Sequence, residues 1–240
     1  MTGSRWRMQG LTFSIALEAL GRDRLPYPLS HIPDPTEFPD LDRSRAAAAE
    51  RLRARLDDHL YHALTVLLEP EYRIEVYGFH GPEQTATVRI HAGISGELAT
   101  LAAQAPGPTR RYGTEVTIST LPAIRVGQAI VALLPRVTAG SLGPVRGQRS
   151  DLDTRADCIA SRTPESAELR RFFRRPRIGT GEISVVRGAA IDSRYTAGRG
   201  FLWLDYPDDG RYLLTDVGSD HIVAVPGTPR AMIRRIGASW

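Results

Sequence analysis

The stretch VTISTLPAIRVGQAIVALL, residues 116–134, and the stretch IVAVPGTPRAMIRRI, residues 222–236, read in the same order: strand, Thr, Pro, helix. Val116 and Ile118 alternate with Thr117 and Ser119, which gives a half-buried strand. A Thr shortly before a Pro is a helix-start signal. The hydroxyl can accept an orphan backbone N–H, and Pro presets φ where no N–H partner is needed. This pattern predicts one helix over 122–134, opened by Thr120 and Pro122, and another over 229–237, opened by Thr228 and Pro229. Upstream of each lies a run of alternating strands, and before that a polar-capped helix. The chain therefore reads as a duplicated α+β scaffold.

Working outward in the first copy, residues 11–20 begin with strand spacing and end with helix spacing, so they predict a short strand turning into a helix. Five prolines between 25 and 42 predict an extended loop, because each removes a donor and restricts its predecessor. Ser44 is the expected cap of one long helix over 45–68, with Leu52, Leu56, Leu60, Leu64 and Leu67 on one stripe. Residues 73–79 and 85–91 alternate as two strands around the loop Gly81-Pro82-Glu83-Gln84, and 97–104 and 115–119 follow as further strands. Residues 139–162, rich in Gly, Ser, Asp and Arg, read as a linker.

In the second copy, Thr163 and Pro164 open a helix with Leu169, Phe172 and Phe173 on one face. Strands are expected over 183–186, 200–206, 211–215 and 221–225. The strand 200–206 is apolar on both faces and is expected to be covered on both. Short turns between successive strands imply a mostly antiparallel sheet with helices at its faces or ends. The expected organisation is a single domain over 1–240, with a first half at 6–138, the linker, and a second half at 163–240.

The 240 residues carry a net charge of +4, and every cation is Arg. That balance permits weak attraction to acidic partners without being a nucleic-acid signature. One cysteine, Cys158, excludes an internal disulfide. The start of the chain lacks the pattern of a secretory leader, and no apolar run approaches the roughly 20 residues of a membrane helix, so a cytosolic protein is expected.

Candidate chemistry is sparse. His59 and His62 are spaced for one helix face, but no third ligand stands near them in a known pattern. Asp205, Asp208, Asp209 and Arg211 could bind a cation or do acid–base work, although Asp-Asp-Gly between two apolar strands is what a hairpin turn requires. Arg170, Arg171, Arg174, Arg175 and Arg177 flank two phenylalanines and could grip a nucleic acid, or be the solvated face of an amphipathic helix. Cys158 has no His near it in sequence.

Several stretches together carry a family resemblance. They are 17–29, ending Leu-Pro-Tyr-Pro-Leu; the paired strands 73–91; 116–135 with Leu133-Leu134-Pro135; 168–176 before Gly181-Glu182-Ile183; and 200–213 with Trp203, Asp205 and Gly210-Arg211-Tyr212-Leu213. In this order they resemble the EspG family, the ESX (type VII) secretion-associated proteins of actinobacteria. The resemblance implies one antiparallel sheet with helical bundles in two quasi-symmetric halves. It further implies a cytosolic, non-enzymatic chaperone with no catalytic residues, cofactor or metal, which binds PE–PPE heterodimers at the helical tip of the PPE subunit and brings them to the ESX machinery. The contact surface it implies includes the hairpin residues Phe79, His80, Glu83 and Gln84, and a C-terminal bundle drawing on 169–175 and 229–236, with Arg171 and Arg175 as anchors. Two rivals from the residues themselves are an enzyme built on Asp205–Arg211 and a nucleic-acid binder built on 170–177.

Overall fold

The computed structural model describes residues 3–32, 40–152, 163–190, 195–196, 198–216 and 220–240. Its strands are β1 (Arg5–Met8), β2 (Tyr72–His80), β3 (Ala86–Ser95), β4 (Leu98–Pro106), β5 (Gly113–Pro122), β6 (Val145–Gln148), β7 (Gly179–Arg187), β8 (Arg199–Tyr206), β9 (Gly210–Asp216) and β10 (His221–Pro226). Its helices are α1 (Gly10–Ala19), α2 (Leu41–Arg53), α3 (Asp58–Leu68), α4 (Val126–Leu133), α5 (Pro164–Arg174) and α6 (Pro229–Gly237).

All ten strands form one sheet in the order β1-β5-β4-β3-β2-β7-β8-β9-β10-β6, and every pairing is antiparallel. Read outward from the centre, each half is a four-strand meander closed by an edge strand from the segment that precedes it in sequence. The repeat is thus edge strand, helix layer, meander, closing helix. The two copies meet where β2 pairs with β7, with Tyr72 opposite Arg187, His80 opposite Gly179, and Val76 opposite Ile183 at the middle.

The duplication is larger than its sequence outline, because both edge strands escaped the pattern. Part of the segment expected as a linker, Val145–Gln148, is β6 and pairs with β10. Residues 11–19 are wholly helical, and the strand expected there lies earlier, as β1. The single helix expected from a Ser44 cap is two helices, and the first begins at Leu41 with Ser44 inside it. Asp57 accepts the Leu60 N–H at 2.7 Å and starts α3 afresh, while Leu56 falls in the break, 44% exposed. Leu52, Leu60, Leu64 and Leu67 still share one core. Thr120 does not cap a helix. Its backbone N–H donates to the Ser4 carbonyl and its hydroxyl accepts the Ser4 N–H, while β5 runs on to Pro122 paired with β4. A 3-10 turn, Ala123–Arg125, then leads into α4. Thr163 and Thr228 do cap α5 and α6, accepting from Ser166 N–H and Ala231 N–H.

One face of the sheet carries a core shared by both halves, covered by α4 and α6 through Val126, Ile130, Met232 and Ile236. Trp203 sits in it, and glycine makes its place. A Cβ on Gly181 would lie 2.2 Å from the indole, and one on Gly78 would lie 2.5 Å from it. The other face is covered separately: by α1, α2 and α3 over the first half, and by α5 over the second. Leu204 and Tyr206 of β8 lie under α5, but Leu202, expected to be covered, is 37% exposed where that layer stops.

Between those two layers the central strands carry a polar seam. Arg73 and Glu75 pair at 2.7 Å with both side chains buried, and Arg73 also donates to the carbonyls of Gly188 and Ala189. His91 is buried, with Nδ1 2.7 Å from the Tyr27 carbonyl. Burial pushes its imidazole down to about 4, helped by the nearby Arg73 charge and opposed by backbone hydrogen bonds. Of the expected proline-rich loop, the described residues 25–32 contain no helix or strand. They are fastened to β4 by a reciprocal amide pair between Ser30 and Gln104.

Two stability tests follow. Gly181→Ala is expected to cost about 1–3 kcal/mol by overpacking Trp203, while Leu202→Ala on the opposite face stays within about 1 kcal/mol, both read from urea unfolding. His91 is held neutral in the folded state, so its contribution is complete above its unfolded pKa of about 6.5 and is lost as pH falls toward about 4. Unfolding free energy should fall across that window by up to about 1.4 kcal/mol per pH unit from this group, and His91→Gln should remove that slope.

Candidate partner-binding surface

In an antiparallel meander alternate turns share an end. The loop 81–85, the turn 107–112, the turn 207–209, the start of β7 and the end of β10 therefore gather at one end of the sheet. The C-terminus of α5 and the N-terminus of α6 adjoin the strands that meet there. Pro135, just after α4, reaches the same end, where its carbonyl accepts from Arg211 Nη2 at 3.0 Å.

The hairpin between β2 and β3 is held from both sides. Gly81 and Gln84 take left-handed backbone, with φ of 93° and 51°. Gln84 Nε2 donates to the Arg177 carbonyl at 2.8 Å, fastening the loop to the α5–β7 connection. On the other side the Arg110 guanidinium lies 4.5 Å above the Phe79 ring and donates to the Glu83 carbonyl at 3.2 Å. Buried Arg89 donates to Thr87 Oγ1 and to the carbonyls of Tyr112 and Arg110. Glu83 is exposed, and Phe79 is half-buried. His80 points to the opposite face from Phe79 and lines the mouth of a groove of about 630 Å³ between α4 and strands β3, β4 and β5. The groove floor is largely apolar, with Val88, Ile90, Leu101 and Leu121, and Leu133 and Pro135 form its rim.

The basic run on α5 divides into tethered and free side chains. Leu169 and Phe172 are buried. Arg170 donates to the Asp151 carbonyl at 2.7 Å. Arg175 lies 4.2 Å over the Tyr206 ring and pairs with Asp209 at 2.8 Å. Arg171, Arg174 and Arg177 are exposed. The structure thus brings the hairpin residues and the C-terminal end of α5 together, while 229–236 lies across the opposite face with α4.

The acidic cluster has a structural job. Asp205 and Arg211 face each other across β8 and β9 and form a two-pronged ion pair at 2.6 and 2.7 Å, both side chains buried. Asp209 accepts from Ser141 N–H and Oγ, Tyr212 Oη and Arg175 Nη2. Burial alone would raise its pKa. The hydrogen bonds from Tyr212, Ser141 and Arg175 outweigh that and hold the carboxyl well below the usual range. Asp208 is exposed at the turn. His59 and His62 are exposed on α3. Cys158 lies outside the described residues. Among the described residues no cluster of three or more His, Cys, Asp or Glu is placed to hold a metal, and no helix is long and apolar enough to cross a membrane.

Sequence reasoning missed Tyr77, Arg89 and Arg110, which build the base of the hairpin. Tyr77 and Phe79 alternate on one face of β2, and Arg89 on β3 pairs across from Tyr77. That cross-strand register was available from the expected hairpin. Arg110 comes from a turn whose distance from Phe79 no local pattern reveals.

Breaking the buried pair at one partner leaves an uncompensated charge. Asp205→Asn is therefore expected to lower stability by about 3–5 kcal/mol in urea unfolding, whereas Asp208→Asn at the exposed turn changes it by less than about 0.5 kcal/mol.

No curated protein matches the sequence. Among solved structures, the fold is similar to that of the Mycobacterium tuberculosis type VII secretion system chaperone EspG5, solved in complex with a PE25–PPE41 dimer. The two are 10% identical with a TM-score of 0.59, and the match covers 98% of this chain and 95% of that one. At that identity the likeness is one of fold. The sequence model of the EspG family matches residues 10–238, from the start of α1 to the end of α6, and so the chain belongs to the EspG family.

Proposed function

We propose that this chain is a cytoplasmic, non-enzymatic chaperone that binds a PE–PPE heterodimer at the helical tip of its PPE subunit and keeps it soluble for type VII (ESX) secretion. The observation that carries this reading is the family match across 10–238. The EspG5 structure, whose fold is similar, was solved with a PE25–PPE41 dimer bound. The physical logic is simple. A helical protein with an exposed apolar tip self-associates, and covering the tip with an interface of roughly 1,600 Å² prevents it.

The chain would act as one functional domain, since a single sheet runs through both halves. The proposed contact surface is the hairpin end, with Phe79, His80, Glu83 and Gln84 on one side and Arg171 on α5 nearby. Arg175, tied to Tyr206 and Asp209, would act by fixing the position of the turn beside them. A non-enzymatic role is supported by the family and by the closed hydrogen bonding of Asp205 and Asp209.

Co-expression with a PE–PPE pair encoded beside this chain's gene is expected to give a 1:1:1 complex on size exclusion. A photocrosslinking residue at Glu83 should then label the PPE subunit and leave PE unlabelled. Failure to co-elute with every adjacent pair would overturn the proposal.

A further inference from the structure

The end of the sheet that carries the hairpin gathers exposed arginines with few acids beside them. Arg110, Arg111, Arg136, Arg174, Arg177 and Arg230 are all exposed there. Each belongs to a turn or helix terminus that the antiparallel topology brings to that end. The ion pairs among the described residues use none of them. The acids at this end are few. Glu83 and Asp208 are exposed, and Asp209 is committed to Arg175, Tyr212 and Ser141. At the opposite end Glu69, Glu71, Glu97 and Asp216 are interspersed with Arg125, Arg149, Arg187 and Arg199. Elsewhere some surface arginines stand beside carboxylates, as in Arg7–Glu115, Arg43–Asp40 and Arg45–Glu18, while Arg53, Arg146 and Arg199 are exposed outside those pairs. At this end six exposed arginines thus face only Glu83 and Asp208 as exposed acids.

We infer that this pole is built for an acidic protein surface, one that presents Asp or Glu side chains to these arginines. The inference rests on the proposed chaperone reading and adds the chemistry of the surface received. Arg suits that task. Its guanidinium is weakly hydrated and meets carboxylates through two parallel hydrogen bonds. The apolar groove opens at the same end, but on the face to which His80 points, and the arginines in its own lining are Arg5 and Arg89. A single-stranded nucleic acid is held by exposed rings for base stacking as well as by cations. Here Phe79 lies under Arg110, Tyr206 lies under Arg175, and Phe172 is buried.

The test uses the full chain and the adjacent PE–PPE pair that co-elutes with it. Binding is measured by titration calorimetry at about 50 and about 500 mM NaCl, concentrations that shorten the Debye length several-fold. Kd is expected to rise at least about tenfold with salt. Arg111→Glu with Arg177→Glu should raise Kd at least about tenfold at low salt. Arg53→Glu with Arg125→Glu, exposed but distant, should leave it within about twofold, with coincident melting curves for all three proteins. A complex that forms yet ignores both salt and the reversals overturns this inference and leaves the chaperone reading standing. Failure of every pair to bind overturns both. Tighter binding of a 30-nucleotide single strand through the same arginines would overturn the inference in favour of nucleic acid.

Discussion

The pairing of β2 with β7 joins two meanders that could each have been a separate small sheet. Its nine residues from Tyr72 to His80 pair in unbroken antiparallel register with Arg187 to Gly179. Because both strands begin their meanders, the ladder fixes which turns share an end. It also makes one continuous floor for α4 and α6, whose packing on Ile74, Val76, Ile183 and Val185 spans the junction. A strand pair at the centre of a sheet needs both faces covered. Here one face is covered by a shared apolar core and the other carries a buried polar seam, with Arg73, Glu75 and His91 in it.

Two devices keep that junction specific. Gly78 and Gly181 stand opposite each other and clear the space that Trp203 fills, so a tryptophan of the second half packs onto the first. Gly has this use because anything larger would meet the ring. The second device is the Asp205–Arg211 pair, which also reaches Pro135 and Met232 and so links β8 and β9 to the ends of α4 and α6. A buried ion pair gives little net stability over apolar replacements, because desolvation offsets attraction. Its directional bonds instead bring three elements to one place at the hairpin end.

The class, the antiparallel meanders and the closing helices were legible in the sequence because alternation, Pro and capping Thr are local signals. The strand 179–187 and the helix 164–174 emerged close to where Ile183, Val185, Thr163 and Pro164 implied them. What escaped was set by distant partners. β1 and β6 carry too few residues to show a period, and Arg146 and Gly147 become strand only because β10 offers its edge. Thr120 has the signature of a cap, but Ser4 claims it first. The leucine stripe from Leu52 to Leu67 suggested one helix, and the local cap at Asp57 divides it. At the candidate surface the hairpin itself was readable, whereas the arginine stacked on Phe79 and the gathering of basic turns are products of topology.

The edge strands have a consequence for the protein itself. Open sheet margins are templates on which another chain can add a strand, and long flat ones seed fibres. Here both margins are only four residues long. Arg5 and Arg7 stand on one, and Arg146 on the other, all exposed or nearly so. A ten-stranded sheet thereby ends in short, charged borders that discourage any neighbour from continuing the ladder. Whatever it shelters, the molecule is protected against polymerising through its own backbone.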